Sequence, residues 1–107
     1  MLKLAKETSV ENKIHLGELP QNTVHAFSFE VENTSNKDIT PRVSASCGCT
    51  VPKLDPKTIP ALGKATVQTT FDTTGRSGLQ SKNINLNYEE DGLLKVLTIN
   101  FVSTVVK

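Results

Sequence analysis

Along most of this chain, oily and wet side chains take turns. Phe27, Phe29 and Val31 are interleaved with Ser28, Glu30 and Glu32. Ala65, Val67, Thr69 and Phe71 alternate with Thr66, Gln68 and Thr70, and Ile84, Leu86 and Tyr88 with Asn83, Asn85 and Asn87. The same period of two runs through Ile14 and Leu16, through Val43 and Ala45, and through Leu97, Ile99, Phe101 and Val105. Successive side chains of an extended chain point to opposite faces, so each run predicts a strand with one face in a core and one in water. Helical spacing is absent from the pattern.

Turn chemistry fills the gaps. Gly17 to Asn22, Asn33 to Asp38, and Asp72 to Gly78 read as loops, and Glu89-Glu-Asp-Gly92 as a tight hairpin joining the last two strands. Val51 to Gly63 carries Pro52, Pro56 and Pro60, none of which can donate to a ladder, so it reads as a long crossing connection or an edge. Leu2 and Leu4 flank Lys3, and residues 1–11 are expected to form an N-terminal edge strand or arm. Short strands at about ten-residue spacing with a mid-chain crossing predict an all-β, Ig-like Greek-key sandwich of about seven antiparallel strands in a single domain, residues 1–107.

Composition narrows the function more than the fold. Twelve basic and eleven acidic residues leave a net charge of +1, and the basic ones are scattered singly. Nucleic-acid binding normally needs a basic cluster or stripe, so no nucleic-acid partner is expected. No run approaches the ~20 apolar residues of a membrane span, and the start of the chain lacks the apolar region of a secretory signal. The expectation is therefore cytoplasmic synthesis with no membrane association. Asn33-Thr34-Ser35 has the form of a glycosylation acceptor, which is silent without export.

One local motif carries chemistry: Ser46-Cys47-Gly48-Cys49-Thr50. Its simplest reading is two reduced structural thiols, with Cys47 in phase with Val43 and Ala45 and pointing inward, and Gly48 bending the chain. A Cys47–Cys49 disulfide is a second reading. Residues two apart in a flat strand have Cα atoms about 6.6 Å apart, near the limit for a bridge, so only a bend would close it. A metal site is the third: Cys47 and Cys49 are half a zinc shell, but His15 and His25 are the only imidazoles and neither has ligand spacing. No nucleophile–base pair, phosphate loop or paired-acid signature appears, so neither an enzyme nor a cofactor is expected. The acidic run Glu89-Glu90-Asp91 reads as a solvated turn without calcium-loop spacing.

The order of several pieces resembles a bacterial family of unknown function marked by a Ser-Cys-Gly-Cys-Thr motif. It is similar, more broadly, to the Ig-like group that includes the abnormal-spindle/Hydin and major-sperm-protein domains. The pieces are Ile14 to Gly17, Phe27 to Asn33, Val43 to Pro52, Ile59-Pro60, Gly63, Val67, Phe71-Asp72 and Gly78, spread over about residues 12–102. Two places depart from that pattern: Pro60-Ala-Leu-Gly63 where the family has Pro-Gly, and Tyr88-Glu89 where it tends to Ser-Asn. The resemblance implies a sandwich used for protein contacts and no reaction.

Two functions remain in view. The first is a non-catalytic interaction or structural module, such as a virion accessory or decoration subunit, with a protein partner, a larger assembly or further copies of itself as its contacts. Leu94, Val96 and Val102 make the second face of the last strand partly apolar and are its candidate contact residues. The second is a redox-sensitive or metal-handling domain built on Cys47-Gly48-Cys49.

Overall fold

The computed structural model describes residues 2–4 and 13–107. They form eight strands: β1 (Leu2–Leu4), β2 (Lys13–Pro20), β3 (Val24–Asn33), β4 (Arg42–Ala45), β5 (Thr50–Asp55), β6 (Lys64–Asp72), β7 (Gly78–Glu90) and β8 (Leu93–Val106). Two four-stranded sheets pack face to face, one in the order β1-β3-β6-β5 and the other β2-β8-β7-β4. This is the all-β, Ig-like sandwich that the alternation predicts. It has eight strands rather than about seven, and one neighbouring pair, β2 with β8, runs parallel. Among the described residues no helix is long and apolar enough to cross a membrane.

The period-two residues meet between the sheets. Phe71, Ile84, Leu86, Ile99, Phe101, Val31 and Val67 are fully or almost fully buried. Phe101 sits at the centre, with the Phe27 and Phe71 rings 5.1 Å and 5.2 Å away in tilted and edge-on contact. Such pairs add about 0.5–1.5 kcal/mol each beyond the area they bury. In the β1–β3 pairing Leu2 lies opposite Asn33; it is buried, and its N–H donates to the Tyr88 hydroxyl at 3.2 Å. The remainder of the expected N-terminal arm, residue 1 and residues 5–11, lies outside the described residues.

Of the connections, one reading changes and two sharpen. Gly17 does not open a turn: β2 continues to Pro20, and its register against β8 slips between His15 and Gly17. Ile14 lies opposite Phe101 and Leu19 opposite Val105, so the extra residue, Leu16, switches the inward phase from even to odd numbers. Gly17 takes the left-handed backbone (φ 74°) at that bulge, and the broken alternation disguised the second half of the strand. Next, the chain crosses between sheets at residues 46–49, earlier than Val51 to Gly63. Thr50–Asp55 is the edge strand β5, the second of the two readings for the proline-rich stretch, and Pro52 is tolerated there. Finally, the last hairpin turns on Asp91 (φ 52°) and Gly92 (φ 77°), the two positive φ values of a type I′ turn, after a strand that runs through Glu90.

Asn33 fastens the loop after β3. It is fully buried, and its Nδ2 donates to the carbonyl of Lys37 at 2.8 Å and to those of Ile59 and Pro60, each at 3.2 Å. Its Oδ1 accepts from the Ser35 N–H and hydroxyl. With every polar atom engaged and no exposure, this asparagine is unreachable as a glycan acceptor in the folded chain.

Candidate functional site

The crossover turn follows β4 directly. β4 pairs with β7 only from Arg42 opposite Asn87 to Ala45 opposite Ile84. Ser46 extends the attachment by one residue: its N–H donates to the Asn83 carbonyl and its hydroxyl accepts from the Asn83 N–H. The chain then swings across, with the Thr50 N–H bonded to the Cys47 carbonyl at 3.1 Å and the Cys49 carbonyl taking the Asp72 N–H at 2.9 Å. Cys47 and Cys49 are bonded to each other as a disulfide, with Cα atoms 5.2 Å apart. The bend has brought them closer than a flat strand allows, so the reading of two free, buried thiols gives way to the bridged one. Both residues are half-buried, and it is Cys49, not Cys47, that packs against the core.

Gly48 was assigned the bend on sequence grounds, but its backbone lies outside the left-handed region. Apart from the two flanking cysteines, a Cβ built there meets nothing within 4 Å. The glycine itself is exposed and adds no side chain to the turn.

A residue with no sequence signal completes this site. Arg76, from the loop after β6, donates from Nη2 to Cys47 Sγ at 3.1 Å, and the Cys49 N–H reaches the same sulfur at 3.2 Å. The loop holding Arg76 is itself tied down. The Arg76 N–H donates to the Thr73 carbonyl, and the Arg76 carbonyl accepts from Gln21 Nε2 at 2.7 Å. Thr73 is fully buried, and its hydroxyl donates to the Pro20 carbonyl at 2.8 Å. Arg76 Nε is buried without a partner, and among the described residues the guanidinium is in no ion pair. Asp72 feels it at longer range. Hydrogen bonds from Thr74, its side chain first and then its backbone N–H, hold the Asp72 carboxyl below its ordinary value, with the Arg76 charge a smaller contribution.

The other sequence candidates lie elsewhere. Leu94 and Val96 stand on the outer face of β8, 88% and 55% exposed, opposite Glu89 and Asn87 of β7. With Tyr88, Arg42 and Thr40 they line a shallow concavity of about 600 Å³. Val102 shares that face, but Thr98 and Asn100 stand between, and it lies half-buried opposite His15. Leu93, 61% exposed, also lies at the hairpin end, but as the strand neighbour of Leu94 it belongs to the opposite face, so Leu94 and Val96 stand together and Val102 stands apart. Opposite charges ring this end, with Lys95 on Glu90 at 2.7 Å and Lys37 on Asp91 at 3.7 Å. His15 is exposed on β2, and His25 is engaged with the Thr23 hydroxyl. Among the described residues no three His, Cys, Asp or Glu side chains converge. Cys47 and Cys49 satisfy each other, which leaves the metal reading of Cys47 and Cys49 without a ligand set.

The comparisons with known proteins fit this architecture. The chain is similar to an ASH/PapD-like domain of human CEP192, with TM-score 0.73 at 10% identity over 99% of this chain and 85% of that one. It is similar to the Pseudomonas aeruginosa CupB2 chaperone (TM-score 0.58, 9% identity, 82% of this chain and 52% of that one). It is also similar to WR4, a C. elegans MSP family member (TM-score 0.57, 13% identity, 89% and 93%). Hydrolases match as well, but the chain spans only 19% to 30% of their length. At such identities the likeness is one of fold. No curated protein sequence matches the chain. Residues 8–102, nearly the whole length, match one family profile, and the chain belongs to that family, the proteins of unknown function DUF1573.

Proposed function

We propose that this chain is a non-catalytic protein-interaction module that seats its hairpin end against an apolar surface of a partner protein. The observation carrying this reading is the exposure of Leu94 and Val96 together on the outer face of β8, at the far end of the β7–β8 hairpin. Large apolar side chains grouped within a polar rim mark contact surfaces on soluble domains. The rim carries Lys37, Arg42 and Lys95 against Glu89, Glu90 and Asp91, a balance that suits a protein surface better than a polyanion or a charged membrane. The PapD-like and chaperone likenesses support the same use of the fold.

A photo-crosslinker at position 94 or 96, in cells that express the chain natively, tests this. The expected result is one partner polypeptide trapped from both positions, not from position 98, and lost on Val96→Glu. That variant should keep its folding stability within about 0.5 kcal/mol, because Val96 already faces water. A chain that self-associates and falls apart on Val96→Glu would put a second copy in the partner's place. The finer form of the reading, a virion accessory subunit, is tested by whether the chain co-sediments with purified particles. A chain found only free of particles sinks that form and leaves the coarser one.

A further inference from the structure

We infer that the Cys47–Cys49 bridge is a thiol–disulfide exchange site, in which Cys49 accepts an incoming thiolate and Cys47 departs as a thiolate held by Arg76. The two sulfurs are unequal. Cys47 Sγ accepts from Arg76 Nη2 at 3.1 Å and from the Cys49 N–H at 3.2 Å, whereas among the described residues Cys49 Sγ has only the Thr50 hydroxyl, at 3.5 Å. A cation and an amide aimed at a sulfur stabilise its thiolate, and the sulfur with the lower thiol pKa is the better leaving group. Arg76 is free to serve, since among the described residues no carboxylate pairs with it. Its loop is fixed through Thr73 and Gln21, so the guanidinium is already in place before the bond breaks.

Access comes from two features. Gly48 is exposed and places no side chain beside the bridge, and no atom other than those of the two flanking cysteines lies within 4 Å of where its Cβ would be. Because β4 ends at Ala45 and Ser46 bonds Asn83, residues Gly78 to Lys82 of β7 have no strand beside them on that side, among the described residues. An extended polypeptide could add to that edge and bring a cysteine to the turn. The ligand chemistry is therefore a thiol, carried by a protein or by a small molecule.

The step balances without another oxidant. A thiolate RS⁻ attacks Cys49 Sγ, forming an RS–SCys49 bond as the Cys49–Cys47 bond breaks and its electron pair leaves on Cys47 Sγ. A second thiolate then attacks the R sulfur, giving RSSR, and the Cys49 thiolate released takes a proton from water. Two thiols are oxidised by two electrons, and the protein disulfide is reduced to a dithiol.

The test uses the full chain, isolated without reductant. Intact mass and thiol titration should show both cysteines bonded. Limited glutathione, quenched with acid, should leave glutathione on Cys49 by peptide mapping. Arg76→Ala should slow exchange about tenfold and raise the Cys47 thiolate titration by about one pKa unit, with Arg76→Lys recovering part of both. Running the same assay with a cysteine-bearing extended peptide separates the sources: faster exchange than glutathione assigns a protein thiol, and slower exchange a small one. Free thiols in the isolated protein would overturn the inference, as would glutathione on Cys47 or equal rates in Arg76→Ala when that variant is folded by circular dichroism.

Discussion

Two loops of this sandwich are fastened in opposite ways, one by a single buried residue and the other by a half-buried pair. The loop after β3 closes on Asn33, which is wholly buried and spends both ends of its amide on carbonyls and donors of its own neighbourhood. The crossover after β4 closes on Cys47 and Cys49, half-buried, with a cation from a distant loop lying on one sulfur and an Arg76 Nε left without a partner. A polar group that is buried with all of its bonds made costs nothing further to keep and has nothing left to offer a ligand. A group that is half-open and under-used pays for its place in some other way, and that is where a site is worth seeking. The contrast separates structure from chemistry better than residue type does.

The sharpest way to break that contrast is Asn33→Ala. It removes the amide donor that the carbonyls of Lys37, Ile59 and Pro60 share, leaving each with one other partner, and it removes the acceptor for Ser35. Losing this set of hydrogen bonds at a wholly buried side chain should cost about 3 kcal/mol, read as a lower urea midpoint with an unchanged slope. A loss under 1 kcal/mol would mean the loop is held by Ile39 and Ile59 instead, which exchange backbone hydrogen bonds at 3.0 and 2.7 Å.

The bridge should matter less to stability than its prominence suggests. Replacing Cys47 and Cys49 together by Ser releases a ring of only three residues, and loop-closure entropy for so short a ring is about 1.5 kcal/mol. Thermal or urea unfolding of the double variant, compared with the oxidised parent, measures this. A cost above about 3 kcal/mol would make the bridge a staple on a par with Asn33 and erase the distinction drawn between the two loops.

Much of this was legible in the sequence, and the failures have causes. The fold was readable because each strand buries one face, so that Phe29, Val31, Val67, Phe71, Ile84, Leu86, Ile99 and Phe101 announce themselves by spacing. The second half of β2 was hidden because a single inserted residue at the bulge reverses the phase, and periodicity cannot see past an insertion. The position of the crossover was missed because prolines drew attention to Val51 to Gly63, although an edge strand accepts Pro52. The cysteine motif was visible at once, but Arg76 was not. It lies 29 positions from Cys47, and nothing short of folding brings them together. At the hairpin end, alternation placed Leu94 and Val96 on the outer face, but it could not show that Thr98, Asn100 and the paired β2 strand would separate Val102 from them.

Gly48→Ala is the gentlest probe of the comparison. A glycine between two cysteines invites the reading that no other residue can make the bend, and by that reading alanine there would strain the turn. The structure argues otherwise. The Gly48 backbone is outside the left-handed region, and an added Cβ meets no atom within 4 Å apart from those of the flanking cysteines. Gly63 is the counter-case inside the Asn33 neighbourhood, where a Cβ would come within 2.6 Å of the Pro60 ring and 3.1 Å of its carbonyl oxygen. With no strain to pay, alanine at position 48 only narrows the unfolded ensemble, so stability should hold or rise by up to about 0.5 kcal/mol. Thiol exchange should slow modestly as the open side of the bridge is partly filled. Equilibrium unfolding of oxidised Gly48→Ala beside the parent measures the first expectation. A loss of more than 1 kcal/mol would mean that the turn, like Gly63, has no room to give, and the crossover would then belong with the Asn33 loop as closed structure.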